Sequence, residues 1–86
     1  MKYIAEINVM PHKNLLDPQG KAVTGGIHSL GLNEIDNVRI GKHITMEIEA
    51  ADENTAREKA KTACEKLLAN KVMEFYEITV HGAQPN

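Results

Sequence analysis

Tryptophan is absent from this 86-residue chain, and its aromatic residues number only three, Tyr3, Phe75 and Tyr76. Any core must therefore be built from aliphatic side chains and alanine, which dominate an apolar fraction of 42%. The single cysteine, Cys64, cannot form an internal disulfide or a Cys-based metal site, and a reducing cytoplasm is the expected compartment. Long hydrophobic runs are missing too, so no segment can cross a bilayer. Glu6 arrives too early for the apolar stretch of a signal peptide. Nor is there an excess of positive charge: 12 acids against 10 bases leave a net charge of -2, so general affinity for a phosphate backbone is not expected.

What is present reads as one small domain, 1–86, divided into two similar halves. Tyr3, Ala5, Ile7 and Val9 alternate with more polar residues along a first strand that Pro11 closes. Asp17-Pro18 is an N-cap followed by proline at the first helical position. Val23, Ile27 and Leu30 then recur at helical spacing until Gly31 stops the helix. Gly20, Gly25 and Gly26 lie within that helix, each less favourable than Ala by roughly 1 kcal/mol, which suggests either a close approach by another backbone or a frayed, partly irregular helix.

The second half begins with Val38-Arg39-Ile40 as a short strand. A longer strand follows with Ile44, Met46, Ile48 and Ala50 inward. Asp52 to Asn54 caps a second helix running through Leu68. Its stripe is Ala56, Ala60, Ala63 and Leu67, with Cys64 and Leu68 beside it, and Asn70 marks its end. A last strand spans Val72 to Val80 with Tyr76, Ile78 and Val80 on one face. The order β-α-β-β-α-β predicts an α+β, ferredoxin-like sandwich: a four-stranded antiparallel sheet, order 4-1-3-2, with both helices on one face.

No catalytic signature survives a search. His12, His28, His43 and His81 form no metal-binding spacing, and Cys64 sits among small apolar residues as an inert thiol. Gly20 to Gly26 lacks the order of a phosphate loop, and Ile27 stands where a nucleophile elbow needs glycine before Ser29. The open sheet face, with Glu6, Glu47 and Glu49 and no aromatic on its central strands, argues against RNA. The one positive signal concerns association. The last strand is an edge without proline, carrying Phe75 outward, and an unprotected edge invites a partner unless the tail His81 to Asn86 folds back over it.

Four blocks carry a family resemblance in order and spacing: Leu16-Asp17-Pro18-Gln19-Gly20-Lys21-Ala22, His28-Ser29-Leu30-Gly31, Val38-Arg39-Ile40-Gly41-Lys42 and Cys64-Glu65-Lys66-Leu67-Leu68-Ala69-Asn70. The chain resembles the PurS family, the small subunit of phosphoribosylformylglycinamidine (FGAM) synthase, along nearly its whole length. It departs at Lys71, where proline is usual, at Phe75, where a polar residue is usual, at His12-Lys13-Asn14, and in its tail.

The resemblance implies a non-catalytic assembly subunit of a purine-biosynthetic ligase. That complex uses ATP and glutamine to convert formylglycinamide ribonucleotide into formylglycinamidine ribonucleotide. It implies no cofactor in this subunit, ATP and magnesium being used by the synthetase PurL, while the glutaminase PurQ releases ammonia. PurL, PurQ and further copies of the chain, as dimer or tetramer, are the expected partners. The expected contact block is Leu16, Asp17, Pro18, Gln19 and Gly20, with Gly25, Gly26 and Phe75. The rival from another class is an ACT-like domain that binds a small-molecule effector.

Overall fold

The computed structural model describes residues 1–83. Three strands form one antiparallel sheet: β1 (Lys2–Pro11), β2 (Lys42–Glu49) and β3 (Glu74–Gly82), in the order β2-β1-β3. The alternating sequence sets the register, which places Ile7 of β1 between Ile44 and Ile78. Tyr3, Ala5, Ile7 and Val9 therefore point to one face and are buried there.

Helix α2 (Glu53–Ala63) covers that face. Asp52 caps it, its carboxylate accepting from the Thr55 amide at 2.7 Å. Ala56 and Ala60 are fully buried against Tyr3, Ala5, Ile48 and Val80, where small side chains let helix and sheet approach closely. The helix continues into a π turn, Cys64–Leu68, in which the Ala69 amide donates to the Cys64 carbonyl at 3.1 Å. The wider turn rotates the stripe expected of a regular helix. Leu67 emerges into solvent, and Leu68 takes its place beside Cys64, Ile7 and Val9. Asn70 is not a helix cap but opens the turn into β3, its side chain accepting from the Val72 amide at 3.1 Å.

Helix α1 (Pro18–Ser29) begins and ends where the sequence places it. Asp17 caps its start. A Schellman turn closes its end, with the Gly31 amide donating to His28 and the Leu32 amide to Ile27, and Gly31 holds a positive φ of 87°.

The last strand starts at Glu74, two residues after the expected Val72, and two larger expectations fail. Val38-Arg39-Ile40 is not a strand, so the sheet has three strands and not four. The three expected neighbours, 4-1-3, survive as β3-β1-β2. Second, no residue of α1 joins either hydrophobic cluster; α1 and the return segment 30–40 form an arm beside the α2-covered sheet. Val23 and Leu30 of its apolar stripe are exposed, and Ile27 is only half-buried. The molecule measures 51 × 34 × 15 Å, with a radius of gyration of 16.7 Å. A closed globule of this length is expected near 12 Å.

Candidate partner interface

The arm joins the sheet through one polar knot. Asp17 stands at its centre: one carboxylate oxygen accepts from the Gly20 amide at 3.0 Å and the other from the Ile40 amide at 2.8 Å. These two bonds, the Ile40 one foremost, and the nearby Arg39 charge hold its carboxyl below the ordinary value of 3.8. Thr24 adds a second tie, its hydroxyl donating to the Gly20 carbonyl at 2.8 Å and accepting from the Val38 amide at 3.2 Å. The amides at 38 and 40 are thus taken by side chains of the α1 region. That is why an extended, β-branched tripeptide finds no strand partner here.

Gly20 is buried beneath this crossing, and a Cβ there would collide with the Val38 carbonyl and lie 2.7 Å from Asp17 Oδ2. The close backbone approach expected of the helix glycines thus falls on Gly20. At Gly25 and Gly26 a Cβ would meet nothing within 4 Å, so these two leave an open, shallow face.

Arg39 completes the knot. Its Nη1 donates to the Lys13 carbonyl at 3.1 Å, and Nη2 donates to the carbonyls of His12 at 2.6 Å and Pro11 at 3.4 Å. Its Nε lies 3.9 Å from Asp17 Oδ2, buried and without a hydrogen-bond partner among the described residues. The loop 12–16 is therefore held in shape from outside its own sequence.

Leu16, Asp17, Pro18 and Gln19 line one open groove of about 330 Å³ with Pro11, Leu15, Ile40, Asn70, Met73 and Glu74. Leu16 and Met73 are largely exposed beside it. The structure therefore gathers four residues of the expected contact block and sets the others apart. Gly20 lies under the return segment, Gly25 and Gly26 face outward farther along α1, and Phe75 sits on the open sheet face opposite Met10, its ring 5.9 Å from that of His12. Reading the sequence missed Arg39, Leu15, Ile40 and Met73. For Arg39 and Ile40 the available signal was their place in the block Val38-Arg39-Ile40-Gly41-Lys42, which was read as a strand.

His28 and Cys64 serve the fold. His28 Nε2 donates to the Ile35 carbonyl at 2.7 Å and pins the return segment to α1. Cys64 is fully buried, and burial foremost, with the Glu65 charge, pushes its thiol up, the opposite of what a thiolate nucleophile needs. Among the described residues no three His, Cys, Asp or Glu side chains gather as metal ligands, and no helix is long and apolar enough to cross a membrane.

Compared with known proteins, residues 4–82 match the family model described as PurS, phosphoribosylformylglycinamidine (FGAM) synthase. The chain belongs to the PurS family. It is 46% identical over 79 residues to the FGAM synthase subunit PurS of Synechocystis sp., covering 90% of this chain and 79% of that protein. The crystal structure of Bacillus subtilis PurS superimposes with a TM-score of 0.82 at 42% identity, covering 92% of this chain and 98% of that one. A chain in the PurLQS structure from Thermotoga maritima gives 0.85 at 32% identity, covering 94% and 99%. Family membership makes the chain a PurS-type subunit of FGAM synthase in purine biosynthesis, and it does not favour the effector-binding alternative.

Proposed function

We propose that the chain is a non-catalytic bridging subunit that joins PurL to PurQ and supports the passage of ammonia between them. The observation that carries this reading is the near-full-length likeness to a chain of the Thermotoga PurLQS assembly. In the same direction, the fold leaves its arm uncovered by its own core and exposes Leu16, Leu30, Leu67 and Val72. Chemistry supplies the reason for a bridge. Ammonia released into water at neutral pH becomes ammonium and ceases to be a nucleophile, so a protein-lined route preserves its reactivity. ATP and magnesium are assigned to PurL, and no cofactor to this subunit.

The chain also serves as its own partner, as a dimer or tetramer. Its accessible surface is 6161 Å². Compact monomers of 9.5 kDa expose about 5,000 Å² by size scaling. The excess is comparable to the ~800 Å² that each partner contributes to a standard interface.

The contact block is Leu16, Asp17, Pro18 and Gln19, held in place by the buried Gly20, with the open glycine face at Gly25 and Gly26, directed at PurL, and Phe75 at a second surface. Light scattering after size exclusion tests this, first on the chain alone and then mixed with PurL and PurQ. A homo-oligomer that enters a ternary complex is expected; a monomer that joins neither protein contradicts the proposal. Gly25→Leu is expected to fold and to assemble poorly, and full assembly of that variant removes the glycine face from the interface.

A further inference from the structure

We infer that Arg39 is the positioning residue of the loop that carries the contact block, the guanidinium acting as a template on which residues 11–17 take their docking shape. The inference rests on the proposed contact between that block and PurL. Apart from Arg39, side chains hold the loop at its first residue, where His12 Nε2 donates to the Lys71 carbonyl at 3.2 Å and its ring lies beside Phe75, and at its end through Asp17. Lys13, Asn14 and Leu16 are exposed, and its backbone is otherwise tied by the Leu15 amide on the His12 carbonyl at 3.1 Å and the His12 amide on the Met73 carbonyl at 2.9 Å.

Three consecutive carbonyls, those of Pro11, His12 and Lys13, converge on one planar fork. Guanidinium can satisfy them from fixed positions at once; the compact ammonium of lysine cannot reproduce that fork. On the other side of the fork, Asp17 ties the same segment to Gly20 and Ile40, so the loop's two ends are set by neighbouring residues of one return segment. Arg39 Nε is buried with no acceptor within hydrogen-bond distance, an arrangement that opposes stability. The side chain's placement follows the loop's geometry rather than its own satisfaction. Removing the fork reaches the sheet only at Pro11, the last residue of β1, and leaves the core under α2 in place, because no residue of 38–40 belongs to either core cluster. It frees Leu15 and Leu16, which wall the groove, to leave their places beside Ile40 and Met73.

The test titrates the chain into PurL and PurQ and follows glutamine-dependent amidine formation. Arg39→Met is expected to raise the concentration giving half-maximal rate about tenfold, with the loss falling there and not in the saturated rate. Arg39→Lys is expected not to rescue it. Hydrogen exchange on the chain alone is expected to quicken at the Gly20 and Ile40 amides and to stay unchanged at Ile7 and Ala60. Titration of Arg39→Met like the native chain, or unchanged exchange at Gly20 and Ile40, overturns the inference. Should Arg39→Met fail to fold, Asp17→Asn decides in its place: the same split supports the template, and a native titration overturns it. A native chain that never stimulates the two proteins refutes the functional reading itself and this inference with it.

Discussion

Gly20 and Gly25 carry the same residue type in the same helix and do opposite things. Adding a methyl group at Gly20 drives it into the Val38 carbonyl, a backbone atom held in place by Thr24 and Asp17. Gly20→Ala is therefore expected to lower the melting temperature and loosen the arm. Gly25 has open space around it, so Gly25→Ala removes only chain entropy and is expected to stabilise the free chain by about 1 kcal/mol. Paired thermal melts of the two variants check both signs, and a destabilised Gly25→Ala contradicts the open face. Sequence spacing alone could not tell these glycines apart. The distinction depends on where the return segment crosses, and that crossing is made by side-chain acceptors distant in sequence: Asp17 lies 23 residues from Ile40, and Thr24 lies 14 from Val38.

At the scale of elements, alternation and caps were enough to place β1, β2 and both helix starts, and β3 to within two residues, because each is a local rule. Val38-Arg39-Ile40 was misread because an extended, β-branched segment has the same pattern whether its amides meet a strand or a side chain. The π turn was invisible for a related reason, since Leu67 and Leu68 are equally apolar and only the packed register chooses between them. Ile7, fully buried at the centre of the sheet, is expected to lose about 2–5 kcal/mol on truncation to Ala. Denaturant unfolding measures that loss, and a change under 1 kcal/mol by the same scale places the core elsewhere.

The π turn is joined to β3 through Glu65, which accepts from Tyr76 and pairs with Lys71 at 2.7 Å. The bond to Glu65, with lesser burial and charge effects, pushes the Tyr76 phenol up to about 12, while Lys71 and Tyr76 hold Glu65 below its ordinary 4.5. Tyr76 keeps its proton more tightly when folded. Its contribution is complete below the unfolded value of 10.0 and disappears as pH rises from there to about 12. Glu65 contributes above 4.5 and loses its contribution as pH falls. The stability difference between native chain and Tyr76→Phe, followed by denaturant midpoint, is expected to shrink from pH 10 to 12. A difference that stays constant there contradicts the bond.

At the scale of the whole molecule, the flat, drawn-out shape is the feature that no local pattern announces. A helical stripe says that Val23, Ile27 and Leu30 need cover; it does not say that the chain's own sheet leaves Val23 and Leu30 exposed. The function was more legible than the fold, because the four sequence blocks that carry the family likeness are linear, whereas the arm's placement is a property of packing. Under the proposed self-association, mass action makes the melting temperature rise with protein concentration. A concentration-independent melt contradicts self-association.

The central claim is that this subunit acts through the surfaces it presents and performs no bond chemistry. Reconstitution tests it most directly, by comparing FGAM synthesis from glutamine with synthesis from added ammonia, using PurL and PurQ with and without the chain. The chain alone is expected to convert nothing, and its addition to raise the glutamine reaction while leaving the ammonia reaction unchanged. Turnover by the isolated chain, or a glutamine reaction indifferent to its presence, would contradict the account.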